Sequence, residues 1–354
     1  MRQRRRLRIE PTTLIVWGIG LAILAFILVG TISTLRSGIY SLSTWGSLLI
    51  FGLAQGAIYA LIALGYTMVY GVLFMINFAH SEVFMSGPYI AYFVITPLAK
   101  SGFLDRQPVL CLLLTMLVAM LVSTTLAVTL ERVAYRPLRK APRLVPLITA
   151  IGASFFLQYA FRSLFGADFK VYPDVQLLDA TSWYIDTLQI RLLYIVIIVA
   201  AVVMMAGLYL FIRYTKTGKS IRAVAEDKDV AALMGIDVNR TISTTFAIGG
   251  ALAGAAGVLY ALMFKQITHT VGFIPGIKAF TCAVLGGIGN IPGAMFGGFF
   301  LGIFESLGPT LFFSGWGIPS PTQLKDVIAF TMLVLVLIFR PTGLLGEVLA
   351  RKKA

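Results

Sequence analysis

Ten apolar runs, separated by short polar or charged stretches, cover most of the chain: residues 13–34, 47–73, 77–98, 109–130, 144–165, 192–212, 241–265, 275–288, 292–311 and 324–339. Backbone amides inside a bilayer have no water to bond, so a spanning segment must satisfy them internally, as a helix of roughly 20 apolar residues. The runs predict an all-α, polytopic transmembrane bundle of about ten membrane elements. Composition supports this: 58% of the 354 residues are apolar and 12% charged, against roughly 25% charged in a soluble domain. A soluble globular fold is excluded. Cys111 and Cys282 lie in separate apolar runs, so neither a disulfide framework nor a zinc site is indicated, and both read as packing residues.

The net charge of +14 acquires meaning once it is resolved by loop. With the N-terminus placed inside, the inner segments hold 20 of the 29 Lys and Arg residues: five among residues 2–8, five among 132–143, six among 213–240, and Arg340 with three among 351–353. The stretch 166–190 has the opposite character, with Asp168, Asp174, Asp179 and Asp186 against a single Lys170. Lys and Arg favour cytoplasmic loops, so both termini are expected inside, and the basic excess reports orientation in a membrane and not a nucleic-acid partner. Trp45, Trp183 and Trp316 fall at expected outer ends, where an indole sits well. The first run is preceded by Arg2, Arg4, Arg5, Arg6 and Arg8. Its apolar length exceeds that of a signal peptide and no small-residue cleavage pattern follows, so a retained helix is expected, residues 1–45 forming a basic tail plus an additional transmembrane helix.

Two stretches break the regular pattern. Residues 275–288 are too short to span comfortably and are followed by Gly286-Gly287-Ile288-Gly289-Asn290-Ile291-Pro292, which suggests a broken or re-entrant helix shielded by protein. Met75-Ile76-Asn77-Phe78-Ala79-His80-Ser81-Glu82 is polar within an apolar context. Gly56-Ala57-Ile58-Tyr59-Ala60-Leu61 echoes Gly257-Val258-Leu259-Tyr260-Ala261-Leu262, and each copy precedes one of these stretches. Small residues spaced by four at Gly52/Gly56, Gly250/Gly254, Gly293/Gly297 and Gly298/Gly302 would let helices approach closely.

No paired catalytic acids, HExxH metal site or nucleophile elbow is present, so the chain does not read as an enzyme. Gly218-Lys219-Ser220 matches the end of a phosphate-binding loop, but position 213 is Arg where that motif needs Gly, and an apolar helix precedes it in place of a strand. No ATP site and no cofactor are expected in this chain. Between residues 213 and 240, Ile221, Val224, Ala225, Leu233 and Met234 surround the acidic Glu226-Asp227-Lys228-Asp229, with Gly235 placed to stop a short helix. This is either a docking helix for another protein or a solvated amphipathic loop helix.

The run Ala60-Leu61-Ile62-Ala63-Leu64-Gly65-Tyr66-Thr67-Met68-Val69-Tyr70-Gly71 with Asn77-Phe78-Ala79-His80 resembles the permease subunits of branched-chain amino-acid ABC importers, in their LivH-like branch. So do Glu131-Arg132-Val133-Ala134-Tyr135-Arg136-Pro137, Arg222-Ala223-Val224-Ala225-Glu226-Asp227 with Leu233-Met234-Gly235, Val284-Leu285-Gly286-Gly287-Ile288-Gly289 and Arg340-Pro341-Thr342-Gly343. The resemblance covers residues 46–346 as one permease domain, with residues 347–354 a basic tail. Ser81 stands where that family usually has glycine. The resemblance implies a bacterial inner-membrane protein working by alternating access with a second, homologous permease, two cytoplasmic ATP-binding subunits that hold ATP and Mg, and a periplasmic binding protein. It also implies that Arg222, Glu226, Asp227, Leu233, Met234 and Gly235 lie in the ATPase-coupling loop. A urea or short-amide permease is the nearest rival, and an ion-coupled secondary transporter the rival from another class.

Polar groups within the membrane are unfavourable by roughly 2.5–3.5 kcal/mol for a charge, so each needs a reason. Asn77 and His80 share a face if their segment is helical, with Glu82 nearby. They either line a substrate pathway or form hydrogen bonds that support an unwound backbone. Lys278 and Glu305 form a buried pair or stand near a zwitterionic substrate, unless Lys278 snorkels outward.

Overall fold

A computed structural model describes residues 11–139, 141–142, 144–185, 188–340 and 342–346. The arginines at 2–8, Lys140, Arg143, Asp186 and the tail 347–354 lie outside the described residues. Among those described, the chain forms α1 (Pro11–Ser37), α2 (Leu42–Leu73), α3 (His80–Lys100), α4 (Phe103–Arg106), α5 (Pro108–Leu130), α6 (Leu144–Phe165), α7 (Gln176–Asp179), α8 (Leu192–Tyr214), α9 (Lys216–Glu226), α10 (Lys228–Leu233), α11 (Val238–Phe264), α12 (Phe273–Gly286), α13 (Ile291–Gly308) and α14 (Lys325–Phe339). Each of the ten apolar runs is thus helical. Among the described residues, eight helical stretches are long and apolar enough to cross a membrane. The other two runs are α3, which carries Glu82 and two internal prolines, and α12. At 14 residues and a rise of 1.5 Å per residue, α12 is about 21 Å long against a hydrocarbon core of about 30 Å.

α2 and α11 form the centre. In each, 72% of the most apolar window is buried, against 11% in α1 and in the stretch ending in α14. All four small-residue pairs lie at helix contacts: Gly52 and Gly56 of α2 face Gly302 and Gly298 of α13, Gly250 and Gly254 of α11 face α5 at Ala127 and Ala119, and Gly293 and Gly297 of α13 face α12 at Gly286 and Cys282. The α2–α13 approach is the tightest kind. A Cβ on Gly302 would lie 2.3 Å from the Gly56 Cα, and one on Gly298 would lie 2.5 Å from the Ala60 Cα. No side chain fits there, so the two backbones touch directly.

Small extra-helical pieces gather at one end. β1 (Lys170–Val171) pairs antiparallel with β4 (Gln266–Ile267), and β2 (Ser182–Ile185) with β3 (Leu188–Arg191). Here Lys265, which closes α11 with a left-handed φ of 59°, places its ammonium 2.5 Å from Asp179 and 3.3 Å from Asp174. α8 runs from β3 at this end to α9 at the other. α1 packs on the turns after α13: the Phe26 and Trp316 rings stack 4.9 Å apart, and the Ser33 hydroxyl donates to the Gly315 carbonyl at 3.0 Å.

The sequence pattern starts the third run at residue 77, whereas α3 begins at His80. α2 stops at Phe74, held left-handed at φ 54° while its N–H donates to the Tyr70 carbonyl. A turn follows in which the Asn77 carbonyl accepts from the His80 N–H at 3.1 Å. Phe74 at the start of the break is 50% exposed, whereas Asn77, Ala79 and His80 at its end are buried, so the later part of this irregular backbone is enclosed by protein. The far end of α12 is handled differently. Its terminal carbonyls at Leu285 and Gly286 accept from the N–H groups of Leu344 and Leu345 at 2.7 and 3.2 Å, so the segment after α14 folds back to cap it.

Gly302→Val should lower the thermal stability of the detergent-solubilised protein by at least the roughly 1–3 kcal/mol typical of overpacking. Gly18→Val, at a position with no atom within 4 Å of the added Cβ, should leave the melting curve unchanged.

Candidate functional site

Two polar clusters lie inside the bundle, and a helical hairpin projects at one end. The first cluster centres on Lys278 of α12. Its Nζ stands 2.5 Å from Glu305 Oε1 on α13 and 2.6 Å from Asp326 Oδ1 at the start of α14. From α2, Gln55 Nε2 donates to the same Glu305 oxygen at 2.9 Å and to the Tyr59 hydroxyl at 2.6 Å. Lys278 and Glu305 are buried, and Lys278 does not snorkel. Two charges withdrawn from water require close mutual geometry and further hydrogen bonds, which Gln55 and Tyr59 supply. The cluster ties α12 to three other helices at once.

The second cluster surrounds Glu82, in the first turn of α3 and fully buried. Its Oε1 accepts from Gln158 Nε2 at 2.8 Å and Ser154 Oγ at 3.2 Å, both on α6, and from Ser81 Oγ at 3.3 Å. Oε2 has no hydrogen-bond partner among the described residues and points toward Gly272, where a Cβ would stand 3.1 Å away. Ser81 fits because its neighbours are small: a Cβ on Gly276 would lie 2.3 Å from the Ser81 Cβ.

Asn77, His80 and Glu82 do not share one helix face, because the helix starts only at His80. Asn77 Oδ1 accepts from the Tyr135 hydroxyl at 2.6 Å. His80 lies against α2 and α11, edge-on to the Tyr66 ring at 5.0 Å and so close to Gly65 that a Cβ there would meet Nε2 at 2.1 Å. Glu82 faces α6. The three residues reach three different neighbours, while Lys278 and Glu305 meet.

At the opposite end from the β-strands, α9 and α10 join α8 to α11. Thr215 and Asp227 cap the two short helices, the Asp227 carboxylate accepting from the N–H groups of Asp229 and Val230 at 2.9 and 3.1 Å. Gly235, at φ +80°, ends α10: its N–H donates to Ala232 and that of Ile236 to Ala231, the paired pattern of a left-handed helix stop. Ile221, Val224 and Ala231 are buried against the bundle, whereas Leu233 and Met234 are 87% and 78% exposed. Glu226 is exposed at the end of α9. Arg222, exposed, donates to the Arg213 carbonyl at 3.3 Å, holding α9 to the end of α8. Gly218 belongs to the same junction, its Cα lying so close to α8 that a Cβ would meet the Phe211 and Ile212 carbonyls at 2.4 Å. Lys228 lies half-buried over the Phe74 ring; burial, with the nearby Arg139 guanidinium, holds its ammonium below the usual lysine range while Asp229 opposes the shift.

Sequence reasoning missed Gln55, Gln158 and Asp326 as members of these clusters. The two glutamines carried a usable signal, each a lone amide inside an apolar run. It also missed the buried Glu131, which is bonded by Arg139 and by the Ser243 hydroxyl.

A family model described as the permease component of branched-chain amino acid transport systems matches residues 48–337. The chain is 47% identical over 303 residues to the high-affinity branched-chain amino acid transport system permease protein BraD of Pseudomonas aeruginosa, covering 84% of this chain and 95% of that protein. It is 42% identical over 307 residues to the corresponding permease protein LivH of Escherichia coli K12, covering 84% and 94%. A far weaker likeness, TM-score 0.39 at 10% identity over 90% of this chain and 99% of the other, is to PsaBC from Streptococcus pneumoniae in complex with Fab; it carries no inference.

Lys278→Met should destabilise the protein by about 3–5 kcal/mol, because it leaves Glu305 buried without its cation. The double change Lys278→Met/Glu305→Gln should recover much of that loss, as read by thermal unfolding in detergent.

Proposed function

The chain belongs to the permease family of branched-chain amino acid transport systems, and from that premise we propose that it forms the membrane pathway of an ATP-driven importer for branched-chain or related neutral amino acids. It works beside a second, homologous permease subunit. Two cytoplasmic subunits bind and hydrolyse ATP with Mg, and a periplasmic binding protein delivers the substrate. The chain sits in the bacterial inner membrane with both termini and the α9–α10 end in the cytoplasm, an orientation that follows the loop distribution of Lys and Arg.

The observation that carries this reading is the α9–α10 hairpin, with Leu233 and Met234 exposed on a unit whose other face is anchored. On this reading Leu233, Met234 and Glu226 meet the ATPase, while Arg222, Asp227 and Gly235 give the hairpin the stiffness to transmit force to α8 and α11. ATP-bound and ATP-free partners must bind the inward and outward states unequally, since only differential affinity shifts such an equilibrium. Lys278 and Glu305 act as a latch that makes α12, α13 and α14 move together. Asn77, His80 and Glu82 brace the break between α2 and α3 and so give the pathway wall a fixed shape at depth.

Copurification in detergent tests the assembly: two ATPase subunits and a second permease should be retained, and gradient-driven uptake by the isolated chain would overturn the proposal. Within the assembly, Gly235→Val places a β-branched residue in a left-handed conformation unfavourable by roughly 1–2 kcal/mol. ATP hydrolysis should continue in that variant while amino-acid uptake falls, with membrane insertion unchanged; fully coupled transport would remove the hairpin from the mechanism.

A further inference from the structure

We propose that a cleft at the α9–α10 end, between the end of α5 with the turns just after it and the first turns of α11, binds the phosphate headgroup of an anionic phospholipid. The cleft has a volume of about 380 Å³ and presents Arg132, Arg136 and Arg240 together with Asn239. Asp237 also lines it, but its Oδ1 accepts the Arg240 N–H as the cap of α11, so three guanidiniums face one carboxylate already engaged. Glu131 offsets only part of this charge, since it pairs with Arg139 as well as with Arg136, which leaves Arg132 and Arg240 without an ion pair to it. Arg139 and the Ser243 hydroxyl bond its two oxygens, and Arg136 Nε stands 4.0 Å from it. Arg132, Arg136 and Arg240 are all exposed, so the site offers forked donors and net positive charge, the combination that suits a phosphate oxygen pair. The first turn of α11 adds the positive end of a long helix.

The surroundings favour a lipid over a soluble anion. The cleft lies where two membrane helices emerge, and its walls continue along the bundle through Val128 of α5 and Ala247 of α11. Leu117, Leu121 and Val128 recur at spacings of four and seven, which puts them along one face of α5, and Arg132 follows just beyond its end. Leu117 and Leu121 are exposed, giving an acyl chain a surface directly beyond the headgroup. Basic pockets between transmembrane helices at the membrane boundary bind anionic headgroups in this manner.

Native mass spectrometry of the full importer, purified from membranes and exposed to phosphatidylglycerol or phosphatidylcholine, tests the site. The wild type should retain phosphatidylglycerol in preference, and binding should fall about fivefold for each guanidinium removed in Arg132→Gln and Arg240→Gln. Arg132→Lys/Arg240→Lys should keep most of it. Ala247→Trp, which fills the cleft without removing a charge, should also displace the lipid and serves if the glutamine variants fail to fold. Equal retention by wild type and variants would overturn the proposal. Inorganic phosphate that displaces the lipid and matches its thermal stabilisation would assign the cleft to a free anion instead, and loss of ATPase subunits with lipid retention unchanged would assign it to a protein contact.

Discussion

Everything in this fold answers to one constraint: a peptide group at membrane depth must find its partner within the protein. Regular helices meet it automatically, and the informative places are where the chain departs from them. Between α2 and α3 the later part of the departure is absorbed by burial, with the Asn77 carbonyl taking the His80 N–H and the surrounding side chains enclosing the end of the turn. At the end of α12 it is absorbed by a second strand of backbone, Leu344 and Leu345, bonded to the last carbonyls. Each irregularity therefore needs close neighbours, which is why glycine surfaces crowd both sites.

The same scarcity of water shapes the charged groups. Lys278 is held by carboxylates from two helices, and the shared Glu305 oxygen also takes a donor from α2. A cluster connected in this way resists the sliding of any one helix alone, since a single displaced member would strand a charge in a low-dielectric interior. Glu82 is stabilised by neutral donors from α6 and α3, so it ties a more peripheral helix to the central break. The α2–α13 and α12–α13 pairs carry both a polar link through Glu305 and a small-residue contact, so α2, α12, α13 and α14 are joined as one group.

The spans were legible in the sequence because twenty-residue apolar runs have few other uses, and the small-residue spacings named real helix contacts. The stop at Gly235 was equally readable, since only local backbone geometry is involved. Three things were not. The start of α3 depends on a turn whose hydrogen bonds look, in one dimension, like the first turn of a helix. Gln55, Gln158 and Asp326 were invisible as partners because each meets its carboxylate or cation across helices far apart in the chain. The resemblance put Asp227 and Arg222 in a coupling loop, and the structure adds that they cap α10 and fasten α9 to α8; side-chain direction, unlike spacing, is decided by the packed structure.

The cap on α12 also bears on how the protein is made. Its terminal carbonyls are satisfied by a segment that two helices, α13 and α14, separate from it in the chain. Until these have been made, α12 lacks both its backbone partners and the carboxylates for Lys278. The full set of contacts around α12 therefore exists only when α13, α14 and the segment after them are all in place.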